Sequence, residues 1–308
     1  GFRKCHRLTQ TTAQGSLAAN DLTTFRYNAE GYDVQRFKKG TSDAEQFTVS
    51  FWVKSVDQSS YPVTYILELR DPVNTRSCCQ SYTVTASNTW EYKTITFPAD
   101  TTGQWATDNS KSLEMNWFVC AGSNYTTGTL STTWAGTVTA NRAAGLTANL
   151  SANTANRFFL TGVQLEVGPV ATPFEHRSFG EELTRCSRYL QIFHVPTNNS
   201  RRASNITATV HGAGNGVYLN IAFTHPMRAA PSLTVDGAFG GNVFTGSWSG
   251  DTLSNYSSEY YTDALSTLGF HGITSATISS SRTTGLTGQI YTANNGSNDA
   301  ALIYSAEL

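Results

Sequence analysis

The sequence predicts an all-β chain of two domains. An N-terminal jelly-roll sandwich spans residues 1–178, a short linking helix 179–193 and a small C-terminal β-sandwich 194–308. Three observations predict it. Apolar side chains recur at every second position in run after run, the period of a half-buried strand. One such run follows another with no long stretch of helical period between them, which argues an antiparallel sandwich over a βαβ sheet. Charged residues make up only 14% of the chain, and Thr, Ser, Asn and Gly are abundant instead. That composition suits pleated surfaces wetted by hydroxyls and amides and joined by Asn and Gly turns. Aromatics, at 12%, are too plentiful for a disordered chain.

Four runs define the first domain. Phe47, Val49, Phe51 and Val53 share one face, with Thr48, Ser50 and Trp52 on the other. Val63, Tyr65, Leu67 and Leu69 repeat the pattern, as do Leu113, Met115, Trp117 and Val119. Over 90–97, Ile95 and Phe97 oppose Trp90 and Tyr92. Strands of this kind in a domain of this size suit a jelly roll. Residues 101–112 and 122–157, rich in Thr, Ser, Asn and Gly, read as long loops, the usual place for binding sites on a rigid sandwich.

Residues 159–189 read as a strand, a stop and a helix. Phe159, Thr161, Val163, Leu165 and Val167 alternate with Leu160, Gly162, Gln164 and Glu166. Gly168-Pro169 ends the ladder, because Pro has no amide hydrogen to donate. Ser178 stands three residues before Glu181, the spacing of a capping box. Leu183, Cys186 and Leu190 follow on one stripe of a helix that runs from Ser178 to about Gln191. A helix this short is not stable alone in water. Its stripe docks either on its own sandwich or on copies of itself. Beyond it, alternation over 205–210, 217–223, 231–235, 275–279, 288–292 and 301–306 builds the second sandwich.

Lys and Arg number 21 against 22 Asp and Glu, a net charge of −1 with no basic block, so nucleic-acid binding by phosphate neutralisation is not expected. No apolar run is long enough to span a membrane, and no membrane insertion is expected. The chain opens on Gly1 with no signal-peptide pattern, and reads as a processed product or the distal piece of a longer protein. The five cysteines, Cys5, Cys78, Cys79, Cys120 and Cys186, show no zinc-ligand spacing. They read as small buried apolar side chains of a protein assembled in a reducing cytoplasm. Cys78 and Cys79, neighbours on a strand, are expected to point to opposite faces. No metal or cofactor is expected.

No nucleophile elbow, HExxH or phosphate-binding glycine loop appears, and no catalytic residue is assigned. His176, within 174–177, reads as a hydrogen-bonded residue of the domain junction. Glu68 and Asp71, and the group Asp251, Glu259 and Asp263, read as solvated surface carboxylates. A glycosidase needs two facing one cleft, and the regular repeats of a glycan-cleaving β-helix are missing. Sugar binding without cleavage fits better, since sugars stack their apolar ring faces on aromatics while amides and carboxylates take the hydroxyls. The run 248–261 sets Trp248, Tyr256, Tyr260 and Tyr261 beside Asp251 and Asn255, with poor strand alternation. It reads as an exposed glycan-reading loop, or as a loop stapled to the sandwich by its tyrosines. Trp105 and Trp134, in the long loops of the first domain, are further glycan-contact candidates. Trp52, Trp90 and Trp117, on strands, read as core.

The segment TGVQLEVG-x-VATPFEHRS-x-GEEL-x-x-C-x-RY, over 161–189, resembles the junction in a family of bacteriophage virion proteins, mostly tail-fibre or other fibre-like structural proteins of tailed phages. The likeness extends through YDVQRFKKGTS (32–42), SFWVKS (50–55), NTWEYKTITFP (88–98) and AGSNY (121–125). It covers the chain well to about residue 190, then thins to HPMRAAP (225–231) and the closing SAEL. The resemblance implies a jelly roll like those of carbohydrate-binding modules. It also implies a homotrimer, with Phe179, Leu183, Cys186 and Leu190 as trimer-contact candidates. The implied partners are other virion proteins and a host-surface glycan, and the implied location is the virion, assembled in the host cytoplasm. The leading expectation is a phage fibre protein for structural display and glycan attachment. The alternatives are a capsid decoration or head-fibre protein, a glycan depolymerase spike and, least favoured, a carbohydrate-binding module of a secreted bacterial enzyme.

Overall fold

In a computed structural model, the described residues are 1–56, 60–195, 207–211, 214–229, 231–236, 253–259, 271–282, 287–289 and 300–307. The chain divides into two compact units, 1–176 and 177–307.

The first unit is a sandwich of β1 (His6–Thr9), β2 (Leu22–Glu30), β3 (Phe47–Val56), β4 (Val63–Asp71), β5 (Arg76–Val84), β6 (Glu91–Phe97), β7 (Lys111–Ala121), β8 (Ala135–Gly136) and β9 (Arg157–Val167). One antiparallel sheet has the order β1-β9-β3-β6 and the other β2-β7-β4-β5-β8. Apart from the β4–β5 hairpin and the two-residue edge strand β8, each strand crosses to the sheet opposite its predecessor. This is the interleaving of a jelly roll. The alternation read from sequence sets the core. Phe47, Val49, Phe51 and Val53 of β3 are fully buried with Leu67 and Leu69 of β4 and Leu113, Met115, Trp117 and Val119 of β7. Each such side chain contributes about 1.5–3 kcal/mol by leaving water. Phe51 meets Trp117 edge-on at 5.8 Å and Tyr82 at 5.2 Å, the geometry the ring quadrupoles favour.

Three features of this unit depart from the sequence reading. First, residues 122–156 do not stand free as a binding loop. Tyr125, Leu130, Ala143 and Leu146 cover Ile66, Cys79 and Phe118, which point away from the main core. Backbone bonds tie that cover down, from Cys79 N to Ser131 O at 2.7 Å and from Thr147 N to Thr64 O at 3.1 Å. Second, β9 does not alternate without a break. Trp52 pairs with Thr161 but Ser50 pairs with Gln164, so Gly162 and Val163 together oppose Phe51. Gly162 sits at φ +59°, the left-handed conformation such a bulge needs. The extra residue flips the strand: Phe158 and Leu160 face the core before it, Val163 and Leu165 after it. Phe159 and Thr161 are turned outward. Third, all five cysteines are free, but only Cys78, Cys79 and Cys120 are buried, while Cys5 and Cys186 are exposed. Cys78 joins the main core and Cys79 the cluster on the opposite face, as adjacent strand residues must. Burial pushes the Cys78 thiol up to about 12 and raises that of Cys79 as well, so neither is a nucleophile at neutral pH.

The second unit begins with the helix Phe179–Ser187. Ser178 caps it, accepting from Glu181 N at 3.2 Å, and Glu181 pairs with Arg185 one turn on at 3.0 Å. The helix is shorter than the sequence suggested. Leu190 and Gln191 lie in strand β10 (Leu190–Val195), so Leu190 is off the helical stripe. The remaining strands are β11 (Thr207–His211), β12 (Gly214–Ala222), β13 (Ser232–Asp236), β14 (Leu253–Glu259), β15 (His271–Arg282), β16 (Thr287–Gln289) and β17 (Ala300–Ser305). They form a sheet of order β10-β17-β13 and another of order β14-β15-β12-β11-β16. β14 occupies ground that the sequence reading gave to an exposed loop. Its register against β15 shifts between Ser254 and Ser257, which leaves Asn255 and Tyr256 out of the ladder and accounts for the poor alternation there.

Candidate functional site

The two outer faces of the first sandwich differ. The face of β2-β7-β4-β5-β8 is covered by 122–156, whereas the face of β1-β9-β3-β6 carries an open group of aromatics. Trp52 on β3 pairs across the ladder with Tyr92 on β6, and their rings lie 5.4 Å apart at 45°. Just before β6 comes Trp90, 6.2 Å from Phe159 of β9. Between these two rings lies Lys54, its ammonium 4.5 Å from the centroid of Phe159 and 5.4 Å from that of Trp90. Trp52 and Trp90 are each 37% exposed and Tyr92 46%. The face exists because β3 alternates past Phe51 and Val53, and because the bulge at Gly162 turns Phe159 outward.

The N-terminal segment walls one side. A Cβ at Gly162 would collide with the ring of Phe2, so the segment packs where only glycine leaves room. Phe2 meets Phe174 edge-on at 4.8 Å and lies 5.5 Å from His176, while Thr161 Oγ1 donates to Lys4 O at 2.9 Å. His176 is thus part of a ring cluster, which the hydrogen-bonded reading had not foreseen. A cavity of about 480 Å³ opens between this segment and the sheet, lined chiefly by Trp52, Trp90, Phe159 and Lys54. That volume suits a small ligand.

The structure redistributes the sequence candidates. Trp105 and Trp134 are only 5% and 9% exposed and pack on Phe47 at 5.5 and 5.8 Å. Trp134 also donates its indole N–H to Pro98 O at 2.9 Å. Both are core residues, because their loops fold back onto the end of the sandwich, and neither offers a stacking face. Trp52 and Trp90, read as core, are the exposed indoles; Trp117 is buried as expected. A signal was present in the sequence: Trp52 shares its face with Thr48 and Ser50, the polar side of β3. Asn255 and Tyr256 lie on β14, while Trp248, Asp251, Tyr260 and Tyr261 fall outside the described residues. On the helix, Phe179 is 82% exposed, and Leu183, Cys186 and, on β10, Leu190 are exposed too.

The carboxylates of the first unit read as solvated are buried instead. Glu68 takes Arg142 through both oxygens, at 2.7 and 2.6 Å, and accepts from Asn116 at 2.9 Å. Asp71 takes the buried Lys39 at 2.6 Å, and that ammonium also meets Asp100 at 3.1 Å. Burial would raise the carboxyl of Asp100, but hydrogen bonds from Arg76 and Lys39 outweigh it and hold the group below its ordinary range. The same contest at Glu114 is won by Lys111, Arg70 and Arg26, which bring it down to about 2. These groups are committed to ion pairs within the fold. Asp251 and Asp263 fall outside the described residues, and Glu259 ends β14. Among the described residues no three His, Cys, Asp or Glu side chains gather where a metal ion could be held.

Comparison with known protein families and with curated proteins returned no match.

Proposed function

We propose that this chain is a fibre-like structural protein of a phage virion that attaches to a host-surface glycan through the aromatic face of its first sandwich. One observation carries the binding part: Trp52, Trp90 and Tyr92 stand open on one face of an otherwise well-packed sandwich, and the two indoles line a cavity of sugar size. Aromatic planes stack on the apolar faces of sugar rings, and the hydroxyls of Thr161 and Tyr92 supply polar partners nearby. The virion setting comes from the sequence resemblance. The homotrimer draws support from the helix, whose Phe179, Leu183 and Cys186 face solvent within one chain. Three faces per trimer would turn weak single sites into firm attachment.

The test is a glycan array probed with the purified full-length protein and with Trp52→Ala and Tyr92→Ala. Each substitution is expected to weaken binding by at least about tenfold, the cost of truncating an aromatic anchor. Binding untouched by both would move the site off this face. Native mass measurement tests the trimer separately: Leu183→Glu is expected to yield monomer, and a wild-type monomer would refute the assembly.

A further inference from the structure

We propose that the cavity selects an acidic saccharide, one whose sugar ring carries a carboxylate. This rests on the glycan-binding reading and names the class of sugar. The observation is a charge imbalance confined to the cavity. Four of the chain's lysines have a carboxylate close by: Lys38 with Glu45 at 3.4 Å, Lys39 with Asp71 at 2.6 Å, Lys93 with Glu91 at 2.7 Å and Lys111 with Glu114 at 2.7 Å. The other two, Lys4 and Lys54, have none within 4.0 Å among the described residues, and both line the cavity. Arg3 lines it as well, and among the described residues no Asp or Glu does. Arg7 stands opposite Phe159 on the neighbouring strand.

The chain as a whole carries a net charge of −1, so this is a local concentration of cations. Lys54 is the best placed of them. It lies over the rings of Phe159 and Trp90, which hold a cation without neutralising it, in a partly dry setting where a charge-assisted hydrogen bond is strengthened. A sugar stacked on Trp52 or Trp90 would bring a ring carboxylate within reach of that ammonium. A single-stranded nucleic acid also answers to aromatics and cations. One cavity of about 480 Å³ lacks the run of successive stacking platforms such a strand requires, so the saccharide is favoured.

The experiment measures binding of the full-length protein to a set of uronic-acid and sialic-acid oligosaccharides, each paired with its carboxyl-reduced neutral form. Sulfated neutral sugars and a single-stranded oligonucleotide are further arms. The acid form is expected to bind about ten- to a hundredfold tighter than its reduced partner, the range for a hydrogen bond to a charged group. Lys54→Met keeps the apolar stem over the rings and is expected to bring that preference below about threefold. Lys54→Arg is expected to retain the preference. Trp52→Ala is expected to weaken both forms alike.

If acid and reduced forms bind equally and Trp52→Ala abolishes both, the acidic selection is overturned and the glycan-binding face stands. A stronger response to the sulfated sugars than to the carboxylates replaces the carboxylate with another anion and overturns the proposal as stated. Binding of the oligonucleotide alone, or of nothing in the set, overturns both readings.

Discussion

Replacing Lys39 by Met tests whether the buried ion network holds the loops against the sandwich. The ammonium has four oxygens around it: Asp71 Oδ2 at 2.6 Å, Gly103 O at 2.7 Å, Thr102 O at 3.0 Å and Asp100 Oδ2 at 3.1 Å. It also lies 5.7 and 5.2 Å from the ring centres of Trp105 and Trp134. Lys39 and Arg76 balance Asp71 and Asp100, two charges against two. Without Lys39, Asp100 keeps Arg76 at 2.8 and 2.9 Å, but among the described residues Asp71 keeps hydrogen bonds from Asn74 alone, and one buried negative charge goes unbalanced. Breaking a buried pair from one side costs about 3–5 kcal/mol. That is a large share of the roughly 5–15 kcal/mol that holds a domain folded.

The neighbouring Lys38→Met is the control. Its partner Glu45 is 3.4 Å away on an open surface, so its loss costs less than about 1 kcal/mol. Urea unfolding at neutral pH, followed by tryptophan fluorescence, reads the difference. Five of the six tryptophans belong to the first unit, so the signal reports mainly on it. The double variant Lys39→Met, Asp71→Asn removes the stranded charge and is expected to be more stable than Lys39→Met alone. If Lys39→Met fell within about 1 kcal/mol of Lys38→Met, the reasoning would be refuted.

Acid is expected to destabilise the first unit in a defined window. Glu114 is held at about 2 against an ordinary 4.5, so its contribution is complete above 4.5 and is lost as pH falls from there toward 2. Thermal melts of wild type and Glu114→Gln across that range should converge at the acid end; parallel curves would contradict this. Gly162→Val forces a branched side chain into a left-handed conformation and into the ring of Phe2. Residues 3–9 should then exchange amide hydrogens faster, and unchanged protection would count against the packing described. A chain ended at Asn298 loses β17, the middle strand of β10-β17-β13. Its second unit should show no cooperative unfolding by differential scanning calorimetry, and a retained second transition would disprove that role.

Much of the fold was legible because burial here follows a period of two. β3, β4 and β7 could be read directly, since one face of each is continuously apolar. What escaped were the places where a single residue changes the count. Gly162 inserts one position into β9, and from there on the inward and outward sets exchange. A register shift also falls between Ser254 and Ser257 of β14, which looked like a loop because its alternation is interrupted. The helix was overextended because Leu190 continues its spacing, although the chain turns to strand just before it. The site was misassigned for another reason. Trp105 and Trp134 stand in polar, glycine-rich sequence, and nothing local says that such a loop folds back over the sandwich. Long-range contacts draw it there: Lys39 and Arg76 with Asp71 and Asp100, and the two indoles with Phe47.

The outward residues of β3 and β6 show how much of the aromatic face the fold itself requires. Along one end of that face the positions are Thr48, Ser50, Thr94 and Thr96, and two of the hydroxyls bond locally: Thr48 and Thr96 lie 3.2 Å apart across the ladder and Thr96 reaches Pro169 O at 3.1 Å. β-Branched hydroxyl residues are good strand formers, and this end of the face is partly covered, with Thr48 and Ser50 buried and Thr48 donating to Gly168 O at 2.5 Å. Further along the same two strands the outward positions change to Trp52, Lys54 and Tyr92, with Trp90 just beyond. A threonine at each would serve the sheet as well without leaving large rings in water, so stability does not explain the change. The rings are also gathered at the end where the Gly162 bulge turns Phe159 out and the Phe2 segment builds a wall. A face that alters its chemistry halfway along, where the sheet borders the cavity, follows the demands of a ligand more closely than those of folding.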